Sequence, residues 1–261
     1  MASTAIINQH NLENTGLFQR WSCAAFNHLK NIHDSHKVHL DDVVNDIAIY
    51  LNQSDLYEFI GISRSHNHFI LKPDELVLMS LSSSVEDCLA KVDSDASIAY
   101  LTPTSIKSMA TPSIPYMWAY SRDNHQFFPV QFFDGTNSTM QRRFFKLCNE
   151  KREVFLQFLD KFIELTEKAR CEEYLGFYIR YEDLIKHNKD KGDGMMEETN
   201  MRERRQWMLP YAKENLQAII DENRKMDPNF DLTATHWFFN DKFTSNENVC
   251  KHICTHICKW H

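Results

Sequence analysis

Three cysteines and three histidines crowd the last twelve residues of the chain: Cys250, His252, Cys254, His256, Cys258 and His261. Thiolates and imidazoles bind soft and borderline metals, which makes this segment a candidate metal site with zinc as the first choice. Spacing decides which of them can meet. On a helix, Cys250, Cys254, Cys258 and His261 fall within about 80° of one another, and these four are the candidate ligands. Such a helix separates Cys250 from His261 by about 16 Å, too far for one ion. An adjacent pair such as Cys254 and Cys258 would then need ligands from elsewhere. On a strand, Cys250, His252, Cys254, His256 and Cys258 project to one face instead. Neither spacing is the paired C-x2-C of a structural zinc site, and a plain terminal segment with reduced thiols is the simpler alternative.

A second histidine group is Ser65-His66-Asn67-His68. The letters H-N-H suggest a nuclease, but that chemistry needs a ββα-metal context, and Phe69-Ile70-Leu71-Lys72-Pro73 does not supply one. The segment reads as a polar loop. If the chain were a hydrolase or nuclease using histidines and a metal, His66, His68 and His125 would be its first candidates. The neighbouring carboxylates Glu172-Glu173 and Glu197-Glu198 read as solvated pairs. Adjacent residues on a helix point apart and make no acid–base dyad. Two basic runs remain: Arg142 and Arg143 with Lys146, and Arg202, Arg204 and Arg205 beside Trp207. Arginine next to an aromatic side chain suits phosphate or single-stranded nucleic acid, and equally a solvated helix face.

Composition bounds the rest. Apolar residues make up 43% and charged residues 25% of 261, as expected for a globular chain that buries its own core. Only 6 glycines occur, and neither G-x-G-x-x-G nor G-x-x-x-x-G-K-[ST] is present, which sets aside those two routes to nucleotide binding. The formal net charge of -7 places any nucleic-acid contact on a local patch. The N-terminal residues have no basic segment followed by an apolar run, and no stretch of about 18 apolar residues occurs, so neither an export signal nor a membrane span is expected. Seven cysteines, an odd number, then read as thiols or metal ligands in an intracellular protein, cytoplasmic or nuclear.

Periodicity supplies the elements that must hold these residues. Apolar stripes predict helices over Leu17–Ile32 and Leu40–Leu51. Pro73-Asp74-Glu75 predicts a helix start through Met79, and Ser83-Ser84-Val85-Glu86 a capping box. Ile98–Leu101 is a short strand. The order is similar in pattern to a winged-helix module, carried by no specific motif. Residues 102–115 read as a linker. Tyr116–Phe133 predicts an aromatic hairpin turning near Asp123-Asn124. A long central helix follows over Thr139–Arg170, then a strand or short helix over Tyr174–Leu184, a charged loop over Lys186–Thr199, and helical segments over Met201–Asn223. The expected fold is α+β and mostly helical. Its parts are an arm over 1–15, a helical or winged-helix-like module over 16–102, a hairpin-plus-helix domain over 103–245 and the Cys/His tail over 246–261.

With no catalytic motif present, the expected function is a non-enzymatic binding protein that contacts protein or nucleic acid within an assembly, without membrane contact. The alternative is the metal-dependent hydrolase or nuclease above.

Overall fold

Two eight-residue runs dense in aromatic side chains, Ile114–Ser121 (β4) and Gln126–Phe133 (β5), pair antiparallel and turn through Arg122–His125. His125 takes the left-handed conformation there, with φ 50°. In the computed structural model, which describes residues 14–29, 40–82, 98–181, 194–211, 215–225, 228, 232–239 and 253–259, this hairpin belongs to a much larger sheet. The other strands are β1 (Ile60–Arg64), β2 (Glu75–Ser82), β3 (Ile98–Ser105), β6 (Leu175–Ile179), β7 (Gly194–Asn200), β8 (Arg205–Tyr211), β9 (Leu232–Phe239) and β10 (Ile253–Lys259). Their order is β1-β6-β4-β5-β2-β3-β8-β7-β10-β9. The sheet is mixed: β2–β5 and β7–β10 are parallel and the other pairs antiparallel. It curls until β9 meets β1, where two residue pairs, Ile62↔Trp237 and Ser63↔His236, close the barrel.

This overturns the mostly helical expectation and its winged-helix-like front. Glu75–Ser82 is strand, not helix. Its apolar run Leu76-Val77-Leu78-Met79 fits a buried strand and a buried helix equally, and a proline suits the entry to either. Of the segment 17–32, only Cys23–Asn27 (α1) is helical among the described residues; Phe18 instead bridges to Phe127 of β5. Arg205–Tyr211 is strand, leaving Leu216–Arg224 (α5) as the helical part of 201–223. The charged segment expected as a loop holds β7 from Gly194 onward. The capping box at Ser83–Glu86 lies outside the described residues.

Among the described residues the remaining α-helices are α2 (Asp41–Gln53), α3 (Ser138–Phe145) and α4 (Arg152–Lys168). A π-helical turn over Lys146–Glu150 separates α3 from α4, so the long helix expected over 139–170 is interrupted. Phe155, Phe158 and Phe162 of α4 are fully buried and lay their rings around Phe177 of β6, at centroid distances of 5.9, 5.8 and 6.2 Å. Trp118 of β4 stacks on the same Phe177 at 5.1 Å. One side of the sheet is therefore sealed by an aromatic layer under a helix.

Tyr116, two residues earlier on β4, should share Trp118's side, because strand side chains alternate. Register shifts between Pro115 and Trp118 break that alternation. Trp118 packs with Phe144 and Phe177, whereas Tyr116 meets Tyr181 and donates a hydrogen bond to Gln131. Bulges re-aim side chains in this way, and this one delivers a phenol to the barrel side.

Candidate metal centre

β1 ends at Arg64, and His66 and His68 follow in the irregular segment before β2, with a bend at His68. There the two imidazoles converge, with ring centroids 4.9 Å apart. Glu197 reaches them from β7. Its Oε2 lies 3.5 Å from His66 Nε2 and 4.0 Å from His68 Nε2. These ligand atoms all lie within 4.8 Å of one another, and the group could hold a metal ion. A tetrahedral ion with bonds of about 2.0–2.1 Å needs donors about 3.4 Å apart, so modest contraction seats one.

His236 of β9 closes the other side of the carboxylate. Its Nδ1 lies 3.6 Å from Glu197 Oε1 and 3.1 Å from Thr235 Oγ1. The Thr235 hydroxyl also donates to Glu197 Oε2 at 3.4 Å. Thr235 and His236 both face Glu197 because β9 is irregular at this point: its pairing with β10 steps from His236 to Ala234 and skips Thr235. Tyr178 of β6 packs edge-on against the His236 ring at 5.1 Å. Its pairing partner on β1 is Gly61, where any Cβ would collide with the tyrosine ring. Glycine at this position is what leaves room for the tyrosine beside His236.

The group is buried: Glu197 is 1% exposed, His66 and His236 2% each. Burial therefore dominates its electrostatics. It pushes His68 down to about 3, helped by the His66 charge and opposed by Glu197. It pushes His236 down to about 4 against the pull of Glu197. Both imidazoles are held neutral, the form that coordinates metals. Burial alone would raise the Glu197 carboxyl, but the hydrogen bond with His66 and the field of the surrounding imidazoles outweigh it and hold an anion. Burial, with the Glu197 charge next, raises the Tyr116 phenol well above its usual range and keeps it a hydrogen-bond donor.

The tautomer of His66 is fixed by its backbone. Nδ1 lies 2.8 Å from the Arg64 carbonyl oxygen, which can only accept, so Nδ1 carries the hydrogen. Nε2 is then turned toward the carboxylate. An imidazole nitrogen facing a carboxylate oxygen at 3.5 Å requires a positive charge between them, either a proton or a metal ion. A ligating histidine anchored through its other nitrogen to a carbonyl is the usual support of a metal site.

The structure thus sorts the residues singled out from sequence. His66 and His68 enter the buried group; His125 lies exposed at the β4–β5 turn, with Nδ1 3.4 Å from Tyr120 Oη. Glu197, read as half of a solvated pair, is a central member of the group. Cys254 and Cys258 fall in β10, which runs between β7 and β9; Cys258 is in register with Glu197 and Thr233, and His256 with His236. Cys250 and His261 lie outside the described residues.

Among the basic candidates, Arg204 grips Glu75 at 3.0 and 2.8 Å and the Ile70 carbonyl at 2.8 Å. Arg205 lies over Trp207, itself buried, and Arg202 is exposed. Arg142 is exposed, and Arg143 donates to the Glu58 carbonyl. The Arg204 fork ties the β7–β8 hairpin, which bears Glu197, to the segment between β1 and β2, which bears His66 and His68.

No protein-family model, curated protein or solved structure matches the chain.

Proposed function

We propose that this chain is a metal-dependent hydrolase holding one divalent transition metal, zinc first, through His66, His68 and Glu197. The observation that carries this reading is the buried pairing of the His66 Nε2 with the Glu197 carboxylate, beside an imidazole kept neutral at His68. Two histidines and one glutamate are the donor set of several hydrolytic zinc sites, where three protein ligands leave a position for water. Bound zinc lowers the pKa of that water to about 7 and so supplies hydroxide as a nucleophile. His236, neutral and 3.6 Å from Glu197, would orient the carboxylate that holds the ion. This reading supersedes the non-enzymatic binder as the first choice, because that rested on missing motifs, few glycines and apolar stripes of helical period, none of which names a site.

Elemental analysis of purified protein before and after chelation tests it. One zinc per chain is expected, falling to background in His66→Ala, His68→Ala and Glu197→Gln. Reconstituted protein should hydrolyse activated ester or phosphodiester substrates, and the chelated form should not. Iron in place of zinc would redirect the reading to oxygen chemistry, which uses the same donor set. Absence of bound metal, together with no thermal shift on adding zinc, manganese, iron or cobalt, would refute it.

A further inference from the structure

Away from the barrel group, three cations converge on one aromatic ring. Arg143 Cζ, Lys146 Nζ and Lys151 Nζ lie 5.2, 5.3 and 5.4 Å from the centroid of Phe59. That places them within about one Debye length (~10 Å) of one another at physiological salt, so their repulsion is only partly screened. Arg142 and Arg152 stand exposed on the same stretch. The whole chain carries a net charge of -7, so this is a concentrated positive field on a negative body.

The π-helical turn builds the cluster. In a continuous α-helix Lys146 and Lys151 would point about 140° apart, at 100° per residue. Here the Lys151 amide closes on the Lys146 carbonyl at 3.0 Å, an i→i+5 bond that stacks one residue over the other. Both ammonium groups then reach the same ring. π-turns are rare and recur at functional sites. This one gathers like charges that a regular helix would have separated. Cation–π contact with Phe59 offsets part of that repulsion, and the Glu58 carbonyl accepts from Arg143. The carboxylates nearby are exposed ones: Glu150, Glu153 and Glu58, whose Oε1 accepts from Tyr57.

Phe145, at the end of α3 beside the cluster, is 40% exposed. Cations beside an exposed aromatic ring are what binds the backbone and bases of a single strand. A membrane surface would call for a broad apolar face. Among the described residues the other exposed large hydrophobic side chains are Ile70, Ile106 and Met201, which lie on other segments.

We propose that the Arg143–Lys146–Lys151 cluster over Phe59, with Phe145 at its margin, binds the phosphodiester backbone of single-stranded nucleic acid. The test is fluorescence anisotropy with a labelled oligothymidylate and oligouridylate of about 15 nucleotides, over about 50 to 200 mM salt. Wild-type protein should bind at the low-salt end. Arg143→Gln/Lys146→Gln/Lys151→Gln should bind at least ten-fold more weakly, with the slope of log affinity against log salt reduced by about 2, near 0.7 per charge removed. Phe145→Ala should weaken binding several-fold and leave the slope unchanged. Lys146→Gln/Arg152→Gln alters only exposed side chains and should show a smaller loss if the triple variant misfolds. Binding should survive chelation, which keeps the outcome separate from the metal reading. No binding by wild type at low salt, or equal affinity and slope in the folded variants, would overturn the proposal. So would cation-dependent binding to phosphatidylserine vesicles without binding to either oligonucleotide.

Discussion

Glu197 shows how much one side chain's surroundings decide its chemistry. On a solvated surface it would be an ordinary carboxylate. Buried between His66, His68, His236 and Thr235, it is an anion that attracts a cation. Glu197→Gln keeps the shape and removes the charge. It should abolish zinc-dependent thermal stabilisation while the metal-free fold survives, whereas wild type should gain about 2.7 kcal/mol at zinc concentrations one hundred times its dissociation constant. Differential scanning calorimetry with and without zinc reads both outcomes. Gly61 makes the complementary point, because a missing side chain also positions the group. Gly61→Ala should cost roughly 1–3 kcal/mol through overpacking against Tyr178. Adding Tyr178→Leu should recover much of that loss in urea melts. Equal midpoints for Gly61→Ala and wild type would show that the tyrosine moves aside freely.

Among the elements, α4 and the β7–β8 hairpin do different work. Phe158 of α4 is fully buried against Phe177, so Phe158→Ala should cost about 3–5 kcal/mol, read from the shift of a urea midpoint. The hairpin is fastened by Arg204 to Glu75. The hydrogen bond from Arg204 pulls the Glu75 carboxyl down to about 2 from its ordinary value near 4.5. A lowered carboxylate pKa means stability that is present above pH 4.5 and lost as pH falls toward 2. Glu75→Gln should remove that part of the acid dependence of unfolding, and an identical pH profile in the variant would exclude the tie.

The sequence was legible at this scale where periodicity was strong. α2, the aromatic hairpin and the helical stretch around Phe155 to Leu165 are where their patterns place them. It was misleading at β2, where Leu76 to Met79 carries no period, and at β8, where Pro210 suggested a kinked helix and instead pairs with Met195 in the sheet. The spacing of His66 and His68 was a usable sign, since two histidines this close in one short segment can reach a common partner. Their partner Glu197 carried no such sign. Adjacent Glu198 and the glycines at 192 and 194 gave its segment the look of a solvated loop, and its approach to the histidines depends on barrel order, which is non-local.

At the level of the whole molecule, the barrel has one thin joint. Most neighbouring strands pair over three to eight residues, whereas β1 and β9 share two pairs, at Ile62↔Trp237 and Ser63↔His236. His236 is therefore both a wall of the candidate metal centre and half of the closing joint. An ion has to reach side chains that are 1–7% exposed, and a rigid cylinder would slow its entry. Among the described residues this joint has the fewest paired residues, so it is the place where opening costs least. Its amides should exchange with deuterated solvent faster than those of β4–β5, and zinc uptake should saturate at the rate of that opening as zinc concentration rises. Adding the metal should then slow exchange at residues 62, 63, 236 and 237 more than anywhere else in the sheet. The barrel would behave as a kinetic trap, loaded and emptied through a seam that its own cargo closes.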